Sequence, residues 1–131
     1  MKKAAVPFLM LAMAVHGLSA ASAGEIGYRR ISMQEASDVM LQEEGYIILD
    51  VRTEAEYAAG HIPGAICIPN ETIGSGEIPL LPDKDQLILV YCRSGNRSMQ
   101  AAGKLAKLGY TNIVEFGGIG AWTGEIVAGD E

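Results

Sequence analysis

The 131-residue sequence has few cysteines, few aromatic residues and few basic residues, and each shortage excludes a class of protein. Two cysteines are too few for a disulfide-rich scaffold or a cysteine-only zinc site. Aromatic residues make up only 6% of the chain, which argues against a platform that stacks nucleic-acid bases. A net charge of −6 argues against electrostatic binding to nucleic acid or to an anionic membrane. With 49% hydrophobic residues, the chain is predicted to form one globular domain.

The first 23 residues are predicted to form a secretory signal peptide. A positive start over residues 1–3 precedes a short apolar run over residues 4–15, and residues 21–23 read Ala-Ser-Ala, a cleavage pattern. The alternative is a membrane anchor, but this run is shorter than the ~20 residues that span a bilayer. We therefore predict cleavage after Ala23 and a mature domain over residues 24–131. The mature protein is expected to be exported, most simply to the periplasm, and to have no further membrane association.

Short apolar runs alternate with helical patterns in the rest of the chain. The runs do not alternate polar with apolar residues, which is typical of strands buried on both faces of a parallel sheet. They cover residues 47–49, 65–68, 87–91 and 113–114. Helices are predicted over residues 33–40, 54–59 and 98–108, the first two begun by capping boxes. The fold class is therefore α/β, with a mostly parallel sheet and right-handed crossovers, and residues 70–83 form a surface loop.

One loop carries the residues best suited to chemistry. Cys92 follows the strand at residues 87–91, and the next helix is expected to begin near Ser98. Backbone N–H groups of such a loop bind anions, and the positive end of the helix dipole adds to this potential. Arg93 and Arg97 add two positive charges, so the thiolate is favoured over the thiol. The alternative is a buried strand-end cysteine flanked by two solvated arginines.

The chain resembles the single-domain rhodaneses, the thiosulfate sulfurtransferase family. The resemblance spans residues 28–125 and rests on motifs that occur in the family's order. These motifs are Leu49-Asp50-Val51-Arg52, Glu56-Tyr57, Gly60-His61-Ile62-Pro63-Gly64-Ala65, the loop Tyr91–Ser98, Gly109-Tyr110-Thr111-Asn112-Ile113, Gly117-Gly118-Ile119 and Ala121-Trp122. The family implies a three-layer fold with a central, mostly parallel sheet of about five strands.

The resemblance also implies a mechanism centred on Cys92. Its thiolate would attack the outer sulfur of thiosulfate or a related donor, expel sulfite and become a persulfide. The persulfide would then pass its sulfur to cyanide or another thiophilic acceptor, a two-step covalent route. The substrate-binding residues would be those of the loop: Arg93, Ser94, Gly95, Asn96, Arg97 and Ser98. No metal or organic cofactor and no nucleic-acid partner is implied, and a monomer is the expected state.

Two other functions remain open. In a sulfur-carrier or binding module, Cys92 would accept sulfur from a partner protein and turn over free thiosulfate slowly. Some dual-specificity phosphatases share this fold and a similar loop, with five residues between cysteine and arginine. Four residues separate Cys92 from Arg97, a shorter ring that suits a sulfur atom better than a phosphate.

The remaining candidates are predicted to be structural. Asp50 and Arg52 lie at a neighbouring strand end, and the resemblance favours pairing of Arg52 with Glu56. His61 lies in a turn, and attack by a thiolate requires no base there. Tyr57 and Trp122 are expected to pack in the core.

Cys67 is predicted to be a small core residue in the middle of a strand. In the family's strand order, the strand ending at Asp50 separates Cys67 from Cys92. Two strand spacings are ~10 Å, beyond the ~7 Å Cα separation that a disulfide tolerates.

Overall fold

The computed structural model describes residues 27–74 and 76–129, so the predicted signal peptide lies outside the described residues. Five strands of this part form one parallel sheet: β1 (Arg29–Arg30), β2 (Ile47–Asp50), β3 (Ile66–Cys67), β4 (Ile88–Cys92) and β5 (Ile113–Gly118). The strand order is β1-β5-β4-β2-β3, which places β4 at the centre. This confirms the predicted fold class and the predicted separation of the Cys67 strand from the Cys92 strand.

Three α-helices connect the strands: α1 (Met33–Gln42), α2 (Glu54–Ala59) and α3 (Asn96–Lys107). Both predicted capping boxes are present, at Ser32 for α1 and at Thr53 for α2. In each box the hydroxyl accepts from the backbone N–H three residues on, and the glutamate at that position accepts from the cap N–H. The starts of α1 and α2 were therefore predictable from local chemistry.

The sheet is covered on both faces, because successive side chains of a strand point to opposite sides. On β4, Val90 and Cys92 lie in the core cluster that contains α3, whereas Leu89 and Tyr91 lie in the cluster on the side of α1 and α2. This three-layer arrangement leaves Cys92 directed toward α3. Across residues 27–74 and 76–129, no helix has the length and apolar character needed to cross a membrane.

Several boundaries differ from those predicted. Cys92 is the last residue of β4, and α3 begins at Asn96, two residues earlier than expected. The loop over residues 70–83 contains a 3-10 helix at Asn70–Thr72, and two of its apolar residues, Ile73 and Leu81, are buried. This loop therefore contributes to the core as well as to the surface.

Candidate active site

Cys92 lies where the central strand meets the loop before α3. Cys92 is buried, with 1% of its surface exposed, because its side chain faces α3 within the core cluster. The Gly95 N–H donates a hydrogen bond of 2.9 Å to Sγ. Gly95 is also the cap residue of α3 and has φ +109°, a left-handed conformation that favours glycine. The loop thus curls back over the sulfur and presents a backbone donor that stabilises negative charge on it.

The other predicted loop residues occupy different positions around this turn. Ser98 is buried in the first turn of α3, and its hydroxyl lies 3.3 Å from Cys92 Sγ. Arg93, Ser94 and Asn96 are exposed at the rim. Among the described residues, no ion pair holds the Arg93 guanidinium, so it is available to an anion in solvent.

Arg97 forms an ion pair within the protein. Its two terminal nitrogens donate to the two carboxylate oxygens of Glu56 at 2.8 and 3.0 Å. Hydrogen bonds from Arg97 lower the pKa of Glu56 to about 2. Burial acts in the opposite direction and would raise this pKa, but its effect is smaller. Glu56 belongs to the capping box of α2, so one carboxylate joins the start of α2 to the active-site loop.

Arg52 has a different partner from the one predicted. It pairs with Asp50, with Nη2 to Oδ2 at 2.7 Å, and also donates to the Gly60 carbonyl oxygen. Burial alone would lower the pKa of Arg52, but the hydrogen bonds and charge of Asp50 outweigh burial and raise it. The predicted Arg52–Glu56 pair is therefore wrong: Arg97 holds Glu56, and the nearer carboxylate of Asp50 holds Arg52.

Asp50 also accepts a 2.7 Å hydrogen bond from the Tyr91 hydroxyl, which itself accepts from the Ile62 N–H. Burial is the main cause that raises the pKa of Tyr91, so the phenol stays neutral. This network lies across the sheet from Cys92 and braces the ends of β2 and β4. It supports the structural interpretation of Asp50 and Arg52.

His61 is buried and stacks on Tyr57 with ring centroids 3.7 Å apart. Its Nδ1 lies 2.8 Å from the Tyr57 carbonyl oxygen, and its Nε2 has no hydrogen-bond partner within the described residues. Tyr57 is buried as predicted, and Trp122 packs against the same cluster while partly exposed. None of these contacts involves Cys92.

Cys67 is the last residue of the edge strand β3, which corrects the predicted mid-strand position, and it packs against the core cluster while partly exposed. The strand is only two residues long, so it ends at Cys67. Its thiol lies 3.6 Å from the Arg52 carbonyl oxygen. Burial, followed by the charges of Asp50 and Glu54, raises the pKa of Cys67 to about 11.

Two residues of β5 complete the site, and the sequence pattern did not indicate their roles. Glu115 is buried and accepts a 2.5 Å hydrogen bond from the Ser98 hydroxyl. Gly118 lies under the loop: a Cβ there would meet the Arg93 carbonyl carbon and the Ser94 Cα at 2.5 Å. The available signals were an acidic residue directly after the predicted apolar run of residues 113–114 and a glycine pair at residues 117–118.

Within residues 27–74 and 76–129, no three His, Cys, Asp or Glu side chains are grouped as metal ligands. The site instead consists of a strand-end cysteine, a backbone N–H donor, a helix N-terminus and two arginines. Together with a parallel sheet covered on both faces, it defines the class: an α/β domain with a cysteine loop at the carboxyl end of its central strand.

Residues 32–125 match the family model of the rhodanese-like domain. A sulfurtransferase of Allochromatium vinosum is 39% identical over 95 residues, which cover 70% of this chain and 85% of that protein. Thiosulfate sulfurtransferase GlpE of Pseudomonas entomophila is 35% identical over 96 residues, covering 72% and 84%. A solved rhodanese from E. coli, with bound anions, has a TM-score of 0.59 and 33% identity over 64% of this chain and 99% of that one. The chain belongs to the rhodanese family.

Proposed function

We propose that this protein is a sulfurtransferase that moves a sulfane sulfur from thiosulfate or a related donor to cyanide or another thiophilic acceptor. The observation that carries the proposal is the 2.9 Å hydrogen bond from the Gly95 N–H to Cys92 Sγ in a loop that caps α3. The names of the relatives, sulfurtransferase and thiosulfate sulfurtransferase, support the same reaction class.

In the proposed first half-reaction, Cys92 Sγ forms a bond to the outer sulfur of the donor. The bond between that sulfur and the sulfonate sulfur breaks, and sulfite leaves with the electron pair. The remaining persulfide carries negative charge near the Gly95 N–H, which would stabilise it as an oxyanion-hole donor does. The exposed Arg93 would attract the sulfonate, because a guanidinium matches an oxyanion. An acceptor then takes the terminal sulfur and regenerates the thiolate.

Intact mass spectrometry after exposure to thiosulfate tests this proposal. We expect a gain of one sulfur atom that cyanide removes as thiocyanate, and no gain in Cys92→Ser. Cys67→Ala is the matched control, because it removes the other thiol and should still gain sulfur. A mass unchanged by thiosulfate would contradict the proposed reaction.

One observation favours a sulfur carrier as the second candidate. Glu56 already occupies the terminal nitrogens of Arg97, which leaves Arg93 as the unpaired cation of the loop within the described residues. A carrier would take sulfur from a persulfide on another protein and turn over free thiosulfate slowly. Ping-pong kinetics that reach saturation with thiosulfate would favour the enzyme, and persulfide transfer without such turnover would favour the carrier.

We also propose export to the periplasm with cleavage after Ala23, on the pattern of residues 1–23. N-terminal sequencing of protein recovered from its native compartment should begin at Gly24. Recovery of a chain that retains Lys2 and Lys3 would instead indicate an uncleaved anchor.

A further inference from the structure

Glu115 is a buried carboxylate that the proposed sulfur transfer does not use. It lies on β5 and is 1% exposed. Its Oε2 accepts from the Ser98 hydroxyl at 2.5 Å and from the Gly117 N–H at 2.9 Å, and its Oε1 accepts from Arg30 Nε at 3.0 Å. A buried charge is costly unless it is paired and hydrogen-bonded. These three donors satisfy that requirement, and they fix the carboxylate beside the loop.

The Ser98 hydroxyl links this carboxylate to the reactive sulfur. It lies 3.3 Å from Cys92 Sγ and is also 3.0 Å from the Gly95 carbonyl oxygen. A thiol is a donor, and a hydroxyl both accepts and donates. The three groups therefore form one continuous chain, in which the Cys92 thiol donates to Ser98 and Ser98 donates to Glu115.

We propose that Glu115 receives the proton of Cys92 through Ser98. The S–H bond of Cys92 breaks and its proton passes to Ser98 Oγ, while the hydroxyl proton of Ser98 passes to Glu115 Oε2. The negative charge moves from the carboxylate to the sulfur, and no other reactant is needed. Glu115 acts through Ser98 and does not touch the donor. The inference rests on Cys92 being the nucleophile of the proposed sulfurtransferase.

Positive groups face both ends of this chain. Arg30, from β1, pairs with Glu115 and has a side chain that is 54% exposed. At the other end, the charge of Cys92 is among the causes that raise the pKa of Arg97, although the hydrogen bond from Arg97 to Glu56 is the largest. Tyr28 also faces Glu115; its pKa is raised first by burial and then by that carboxylate, so its phenol stays neutral. The negative charge is thus stabilised at either end.

This relay has a signature that a purely structural Glu115 would lack. Moving a proton within the chain leaves the net charge unchanged, so the fraction of thiolate formed in this way does not depend on pH. The rate of Cys92 alkylation by iodoacetamide should therefore fall with decreasing pH and then level off at a plateau. A thiol that loses its proton to water would instead react about tenfold more slowly for each unit of decreasing pH.

Alkylation rates across a pH series, in a Cys67→Ala background, test the proposal. Glu115→Gln retains the size and an acceptor oxygen but takes no proton, and Ser98→Ala breaks the chain while keeping the carboxylate. Both variants should lose the plateau and fall about tenfold per pH unit. Glu44→Gln, which changes an exposed carboxylate on another surface, should keep the wild-type profile. Circular dichroism establishes that each variant is folded.

Two results would overturn the proposal: a plateau that persists in Glu115→Gln, or a tenfold fall per pH unit in the protein with Glu115 and Ser98 intact. The second result is measured with Glu115 and Ser98 intact, so it does not depend on whether the Glu115 and Ser98 variants fold. Alkylation measures the thiol without any sulfur donor. A failure of persulfide formation and a failure of the relay are therefore distinguishable.

Discussion

The two cysteines lie at the carboxyl ends of two strands of one sheet, yet their surroundings are opposite. Cys92 ends the central strand, is buried, and receives the Gly95 N–H on its sulfur. Cys67 ends an edge strand, is partly exposed, and has a carbonyl oxygen as its polar neighbour. A donor N–H stabilises a thiolate, whereas a carbonyl oxygen stabilises the thiol. The more exposed thiol is therefore expected to be the less reactive one.

The difference comes from how each strand continues. After β4 the chain curls into a loop and starts α3, so the Gly95 N–H and the N-terminus of α3 lie beside the sulfur. Near Cys67 the chain places the carboxylates of Asp50 and Glu54, which oppose a second negative charge. Exposure alone does not decide thiol reactivity; the sign of the neighbouring charges and dipoles does.

The largest expected effect separates the two residues by activity. Cys92→Ser should reduce sulfur transfer from thiosulfate to background, because a hydroxyl is a far weaker nucleophile at neutral pH. Cys67→Ala should retain transfer and lose about 1 kcal/mol of stability, the usual cost of a modest truncation. Steady-state assays and urea unfolding of both variants measure this. Loss of transfer in a folded Cys67→Ala protein would reverse the assignment.

The second prediction compares the thiols directly. Since the pKa of Cys67 is raised to about 11, its thiolate is a minor species at neutral pH, and its alkylation should rise about tenfold per pH unit until pH 11. At neutral pH, iodoacetamide should therefore modify Cys92 at least about a hundredfold faster. Peptide mass mapping gives both rates. Equal alkylation rates would contradict the prediction, because they would show that the two environments have the same effect on thiol reactivity.

The third prediction makes Cys92 resemble Cys67 by moving the loop. Gly118→Ala places a methyl group against the backbone of Arg93 and Ser94, so the loop must shift, at a cost of about 1–3 kcal/mol. We expect slower alkylation of Cys92 and a lower melting temperature. Gly120→Ala is the matched control, because its Cβ would lie 3.9 Å from the Arg93 carbonyl oxygen, an ordinary contact. Identical behaviour of the two variants would contradict a steric role for Gly118.

The fourth prediction removes the link between Arg97 and the neighbouring helix. The pKa of Glu56 is lowered from 4.5 to about 2 in the folded protein, so the unfolded chain binds the proton more readily. The stabilisation by this carboxylate is therefore complete above pH 4.5 and is lost as the pH falls toward 2. Because the pair is partly exposed, Glu56→Gln should cost about 1 kcal/mol near neutral pH. Urea unfolding should show that the difference in free energy of unfolding between Glu56→Gln and the wild type shrinks as the pH falls. A difference that stays constant with pH would contradict the prediction.

The smallest expected effect concerns one charge beside Cys67. Glu54→Gln removes an exposed carboxylate that raises the pKa of this thiol. Solvent and salt screen such a charge, so the pKa should fall by only a few tenths and alkylation of Cys67 should rise about twofold. Glu44→Gln serves as the control. A decrease in the Cys67 rate would show that the carboxylate acts in another way.

The sequence predicted the elements that local chemistry determines. The helix α2 has the predicted bounds, and Cys92 lies at the expected strand end, because capping boxes and apolar runs are local signals. The strand β1 was missed, since two arginines give no apolar run and pairing with β5 alone makes them a strand.

The partners of charged side chains were harder to predict. Arg52 is four residues from Glu56, yet Asp50 binds it, and Glu56 binds Arg97 from 41 residues away. Glu115 lies beside Ser98 because β5 is next to β4 and Glu115 faces the side of the sheet that α3 covers. Such contacts depend on the order of the strands and on the side of the sheet to which each residue points. The spacing of residues along the sequence specifies neither.

Gly118 has a mechanical consequence for the loop above it. Because a strand backbone and a loop backbone meet there without an intervening side chain, no rotamer change can make room beneath Arg93 and Ser94. The backbone of β5 therefore prevents the loop from moving toward the sheet, and Cys92 is held in a fixed position relative to β5. In the proposed reaction, a sulfur atom added to Cys92 would therefore have to be accommodated without moving the loop toward β5.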